Sequence, residues 1–115
     1  MNIQERTEQG VLIVSINGDA DLATVPAFQE LMREKMLEKH PRLVVDFSQV
    51  TFVNTPVWAV VVEYYQHTRK AGTEIALAAM QDRVEASFNI VRLGDLIPHF
   101  ATLEEALSSA GKAGA

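Results

Sequence analysis

The apolar residues of this chain fall into short blocks whose period changes repeatedly between two and about 3.6, the signature of strands alternating with helices. Residues 2–7 and the run VLIVSIN (11–17) predict two strands with TEQG as the turn between them, hence a hairpin. In the second strand Leu12, Val14 and Ile16 share one face and Val11, Ile13 and Ser15 the other. GDAD (18–21) breaks the pattern. A helix follows, with Thr24 as its expected cap, Pro26 in its first turn, and Val25, Phe28, Met32 and Met36 at helical spacing until HPR (40–42) stops it. LVVDF (43–47) is almost wholly apolar, as a central strand covered on both faces would be. SQVTFV then leads to Asn54-Thr55-Pro56, and residues 56–71 predict a helix ended by Gly72. TEIALAAM (73–80) is the next strand, and strand–helix–strand in this order implies a parallel, right-handed crossover. DRVEASFNIVRLG (82–94) predicts a helix with Val84, Phe88 and Val91 on one stripe and Gly94 at its end. IPHF suggests a short edge strand, and TLEEALSSA (102–110) a last helix opening on the reciprocal capping pattern Thr102-x-x-Glu105. The chain thus predicts a single α/β domain over residues 1–110, in two or three layers, and a loose tail, GKAGA, over 111–115.

Composition narrows the function. The chain has 115 residues, 48% hydrophobic and 22% charged, enough to bury a core unaided. A formal charge of −5 argues against nucleic acid, which calls for a basic stripe, and against an anionic membrane surface. The absence of cysteine removes disulfides, thiolate zinc sites and cysteine nucleophiles. No apolar run approaches the ~18 residues of a membrane span, and MNIQERTEQG lacks the basic-then-apolar pattern of an export signal. A cytoplasmic protein without membrane insertion is the expectation.

Spacing alone supports no enzyme. His40, His67 and His99 lie in separate segments and no pair has metal-site spacing, so no metal or other cofactor is expected. No phosphate loop and no nucleophile elbow is present. Glu30, Glu34 and Glu38, interleaved with Arg33, Lys35 and Lys39, make a solvated helix face, and Glu104 and Glu105 suit the positive end of a helix dipole. Asp46, inside LVVDF, is expected to bond neighbouring backbone near its strand's end, although functional groups also gather at such ends. Asp19 and Asp21 are expected to cap or orient the loop before the first long helix.

The junction TFVNTPVWAVVV (51–62) carries more. Pro56 suits the first helical position, which makes Thr55 the cap, its hydroxyl facing the free amides of the first turn. The same place suits a phosphoryl group, which would bring roughly −1.5 to −2 charge to the positive end of the helix. The first two turns behind it have no polar face, so this helix must be buried on more than one side. Either a neighbouring helix or another protein covers the second side, and Trp58 is equally a core residue or an interface anchor.

Together these stretches resemble the STAS domain, the fold of bacterial anti-sigma-factor antagonists that also occurs at the ends of sulfate transporters. The resemblance covers residues 3–108 and rests on Gly18-x-x-Asp21-Leu22-x-Thr24-x-Pro26, on the approach V-x-x-F-V-x-T to the second helix, and on Leu93-Gly94-x-Leu96. It implies a mixed, mostly parallel sheet of four to five strands with about four helices mainly on one side. The family's pattern at the second helix is D-S-x-G-L-G or D-T-x-G, the hydroxyl residue being the phosphoacceptor. Here Asn54 holds the acid's position, Thr55 the acceptor's, Pro56 the variable one, Val57 the first glycine and Trp58 the leucine; the hydroxyl is kept, the acid and glycine are not. Asp21 matches the family's loop acid. The resemblance therefore implies a non-catalytic regulatory protein, an anti-sigma factor antagonist. It would use Asp21, Asn54, Thr55, Pro56, Val57 and Trp58 to bind an anti-sigma factor or a serine/threonine switch kinase of the GHKL ATPase type. A PP2C-type phosphatase would reverse phosphorylation of Thr55, and a homodimer is a further possible assembly. The alternative is a STAS scaffold without phosphorylation, or an accessory subunit of an ABC-type transporter.

Overall fold

The amino-terminal hairpin forms where the alternation predicts it. Strand β1 (Asn2–Glu8) pairs antiparallel with β2 (Val11–Asn17) in continuous register from Asn2 opposite Asn17 to Glu8 opposite Val11. The two-residue turn between them, Gln9-Gly10, has positive φ at both positions, 54° and 77°, which matches the twist of the strands. The computed structural model describes residues 2–110; the tail expected at 111–115 lies outside the described residues.

The remaining elements are α1 (Val25–Glu38), β3 (Arg42–Gln49), α2 (Thr55–Ala71), β4 (Glu74–Ala78), α3 (Asp82–Ile90), β5 (His99–Phe100) and α4 (Leu103–Ala110). The described strands form one sheet in the order β1-β2-β3-β4-β5, with β2 to β5 parallel. The mixed, mostly parallel sheet with four helices is as the resemblance implied.

Alternation along the central strands sorts side chains to two faces. Leu12, Val14 and Ile16 of β2, with Leu43, Val45 and Phe47 of β3 and Ile75 and Leu77 of β4, pack under Phe28 and Met32 of α1, Val57 and Val61 of α2, and Val84 and Phe88 of α3. The opposite face carries Val11, Val44, Ala76 and Ala78 and is covered by Ala106, Leu103 and Leu107 of α4. Small residues on β4 let this single short helix sit close against β3, β4 and β5, and β2 is buried on both faces from Val11 to Ile16. The structural role of Asp46 is also clear: its carboxylate accepts the Ser48 N–H at 2.9 Å and faces the Ser15 hydroxyl at 3.4 Å.

The carboxyl end of α2 and the amino end of α4 follow the sequence, whereas the end of α3 does not. Gly72 takes a left-handed conformation, φ 74°, and closes α2 by donating its N–H to the Thr68 carbonyl at 2.9 Å. Thr102 caps α4, its Oγ1 accepting the Glu105 N–H at 3.1 Å. The helix expected over 82–94 stops at Ile90 instead, well before Gly94. Arg92 supplies the left-handed residue, φ 59°, and the Leu93 N–H turns back to the Phe88 carbonyl, so Leu93 and Ile97 fold inward as a turn.

Candidate functional site

Two loops meet at the carboxyl ends of β2 and β3, and their backbones are stitched together. Gly18 donates to the Gln49 carbonyl at 3.0 Å and Ala20 to that of Phe52 at 2.8 Å, while Asn54 donates to Ala20 at 2.7 Å. A parallel bridge between Ala20 and Val53 lies inside this seam. Both of these residues are buried, so the loops are anchored from below and present their intervening polar residues to solvent.

Asp21 organises the first loop. Its Oδ1 accepts the Ala23 and Thr24 amides at 3.0 and 3.2 Å, and its carbonyl accepts the Thr24 and Val25 amides. Thr24, expected as the cap of α1, is itself in helical conformation with no side-chain cap bond, and its fully buried hydroxyl bonds the Asp19 carbonyl and Asp21 Oδ1 instead. Capping passes to Asp21 because a turn of chain tightens ahead of the regular helix, and the carboxylate is the acceptor nearest its free amides. Asp19 crosses to the second loop, accepting the Thr51 hydroxyl at 2.6 Å. Orientation of the loop by these two acids is thus their structural role, as their spacing suggested.

At the second loop the helix begins one residue earlier than expected. Asn54 is extended, φ −78° and ψ 142°, and its carbonyl accepts the Val57 N–H at 2.9 Å. Because its own amide is tied to Ala20, strand-like backbone persists through Asn54 and the turn starts at Thr55. Asn54 is therefore the cap residue, Thr55 the first helical residue and Pro56 the second. The Thr55 side chain is exposed and forms no hydrogen bond among the described residues. Few free amides face it, since Pro56 has none and that of Val57 is already donated.

The next two residues are inside the protein. Val57 is fully buried, and Trp58, only 2% exposed, stands between Phe47 and Phe88 with ring centroids 5.5 and 5.4 Å away. Its indole N–H donates to the Ser87 hydroxyl at 2.9 Å. The expectation that Val57 and Trp58 touch a partner is thereby corrected: α1 and α3 of the same chain cover the apolar start of α2. Their role is to hold Asn54, Thr55 and Pro56 at the surface.

Two apolar residues missed by the sequence reading flank these loops. Leu22, 69% exposed, follows Asp21, and Phe52, 43% exposed, precedes Val53. Phe52 was legible in principle, because alternation with buried Val53 turns it outward. Asp21, Asn54, Thr55 and Pro56 thus share one surface with Asp19, Leu22 and Phe52, an acidic rim with two apolar contacts and an unbonded hydroxyl.

The model of the STAS domain matches residues 2–106. No curated protein sequence is similar enough to match. Among solved structures, an anti-sigma factor antagonist from Mycobacterium paratuberculosis superposes with a TM-score of 0.88 at 23% identity, over 96% of this chain and 93% of that one. A serine-to-glutamate variant of RsbS from Moorella thermoacetica gives a TM-score of 0.81 at 17% identity, over 99% and 98% of the two chains. The Bacillus cell fate determinant SpoIIAA in its phosphorylated form gives 0.72 at 15% identity, over 93% and 97%.

Proposed function

The chain belongs to the STAS domain family, and on that premise we propose that it is an anti-sigma factor antagonist, a regulatory binding protein of the bacterial cytoplasm. Its partner is an anti-sigma factor or a switch kinase of the GHKL ATPase type, met by Asp21, Asn54, Thr55 and Pro56, with Leu22 and Phe52 as apolar contacts. Phosphorylation of Thr55 by that kinase weakens the contact, and a PP2C-type phosphatase restores it.

One observation carries this reading: the Thr55 hydroxyl is exposed and unbonded at the mouth of α2, beside a loop that already holds Asp19 and Asp21. A phosphoryl group there adds roughly −1.5 to −2 charge to an acidic rim. With Pro56 and Val57 offering no free amide, the helix end neutralises little of it. A docked partner would have to bury that charge or repel it, and either loss is large enough to release an interface.

A second reading is favoured by Asn54 and Pro56, which replace the acid and stiffen the start of the helix. In it the same surface serves a permanent scaffold, or an accessory subunit of an ABC-type transporter, and Thr55 is never modified. Incubation with the cognate kinase and ATP, followed by mass analysis, is expected to place one phosphate on Thr55. Thr55→Asp is expected to weaken partner binding about tenfold or more with the fold unchanged. Unmodified Thr55, with Thr55→Asp binding as well as the parent, selects the scaffold.

A further inference from the structure

One dipeptide in the seam between the two loops carries chemistry that the binding surface does not use. Asn17-Gly18 ends β2, and Asn17 is the only asparagine in the chain followed by glycine. In such a pair the glycine nitrogen can attack the asparagine side-chain carbonyl carbon, because the glycine has no side chain to stand in the way. A bond forms between that nitrogen and Cγ, the C–N bond of the carboxamide breaks, and ammonia leaves with the amide proton. Water then opens the five-membered succinimide at either carbonyl and gives aspartate or isoaspartate. Water is the only co-reactant.

The fold holds this reaction back in two ways. Asn17 is paired on both sides, with Asn2 of β1 and Gln49 of β3, so its backbone is extended. Ring closure requires a turn about ψ that brings the Gly18 nitrogen beside the Asn17 Cβ, and the two ladders oppose that turn. The attacking nitrogen is also engaged, its N–H donated to the Gln49 carbonyl at 3.0 Å. Yet the pair lies at the surface, Asn17 half-buried and Gly18 exposed, on the last rung of its strand. What closes it is the seam that sets Ala20 beside Val53 and ties Asn54 to Ala20 at 2.7 Å, with the Thr51–Asp19 bond of 2.6 Å between the same loops. Strand ends and loops open at a smaller cost than the whole molecule.

We propose that Asn17-Gly18 is a self-modification site gated by this seam. It deamidates only while the Gly18–Gln49 bond is open, and isoaspartate at position 17 then keeps the two loops from closing again. Isoaspartate carries the main chain through its side-chain carboxyl, which lengthens the path from its Cα to Gly18 by one carbon. Gly18 and Ala20 then no longer reach the Gln49 and Phe52 carbonyls together. The freed carboxylate stands next in sequence to the loop that already holds Asp19 and Asp21. This site is separate from Thr55 phosphorylation, and either can fail without the other.

The test follows the full chain at mildly alkaline pH by peptide mapping, native and in denaturing urea, with hydrogen exchange of the Gly18 amide measured in parallel. In urea the mass gain of amide to acid is expected at Asn17 ahead of Asn2, Asn54 and Asn89. In the native chain it is expected about tenfold or more slowly, and slowed at least as much as the Gly18 N–H is protected from exchange. Thr51→Val, a change at an exposed position, removes the bond to Asp19 and is expected to speed both processes about two- to tenfold. The purified isoaspartate form is expected to lose exchange protection at Ala20 and Asn54. Asn17→Asp, which adds the charge without the extra carbon, is expected to keep it. Equal rates in native and unfolded chains, modification led by another asparagine, deamidation indifferent to Thr51→Val, or an isoaspartate form with Ala20 and Asn54 still protected would each overturn the proposal.

Discussion

A single hydrogen bond fixes the orientation of the only tryptophan. The Trp58 indole N–H, inside a wall of Phe47 and Phe88, has Ser87 as its acceptor at 2.9 Å. Ser87→Ala would strand a buried donor, and about 1–2 kcal/mol of stability is expected to be lost. Denaturant unfolding checks the loss, and a shift in tryptophan emission reports the altered surroundings. Trp58→Phe in the Ser87→Ala background should recover part of it, because no donor is then left unpaired. This pair also shows what a sequence withholds. Helical spacing identifies Trp58 as apolar and facing inward, but it does not say whether the inward side belongs to α3 or to a second protein. The deciding residue lies 29 positions away, and no local period connects the two. The start of α2 was displaced by one position for a similar reason: the bond from Asn54 to Ala20 joins loops far apart in the chain.

The helices and strands themselves were largely legible, since their periods and terminal residues are local signals. Gly72 is the plainest case. It sits at φ 74° with open space around the position a Cβ would take, so a substitution meets backbone strain and no steric clash. Gly72→Ala is expected to cost about 1 kcal/mol, measured as a lower denaturant midpoint with unchanged slope. Gly94 carried the same signal and misled, because Arg92 had already taken the left-handed place four residues after Phe88. Tertiary packing decided that turn: burying Leu93 and Ile97 outweighs the penalty of a non-glycine residue at φ 59°. The covering of both sheet faces was visible in the apolar run LVVDF. Assigning α4 to the second face was not, because an eight-residue helix with a narrow apolar stripe fits either side.

For the molecule as a whole, the helix layer is tied to the hairpin by charge as well as by packing. Lys35 of α1, almost fully buried, reaches Glu5 of β1 at 2.5 Å and Glu38 at 3.2 Å. The Glu5 carboxylate is the main reason that its ammonium holds its proton more tightly than a free lysine, against the opposing cost of burial. Tyr64 lies buried in the same layer, and loss of water around its phenol, reinforced by the charge of Glu38, pushes its pKa up to about 12. An unfolded tyrosine loses its proton near pH 10. Above that pH the unfolded chain therefore binds fewer protons than the native one, and stability falls as pH rises from about 10 to 12. Comparing the parent with Tyr64→Phe by chemical denaturation between about pH 9 and 11.5 isolates this contribution, expected at about 1–2 kcal/mol after allowance for solvent screening. Equal alkaline slopes in the two proteins would show that Tyr64 does not titrate in this way. The sheet order has a consequence for how such a molecule is made. Every strand lies beside the one before it in the chain, so each newly synthesised segment finds its template already in place. The hairpin can close first, and the domain can then grow from one edge as it leaves the ribosome, with no earlier strand having to part to admit a later one.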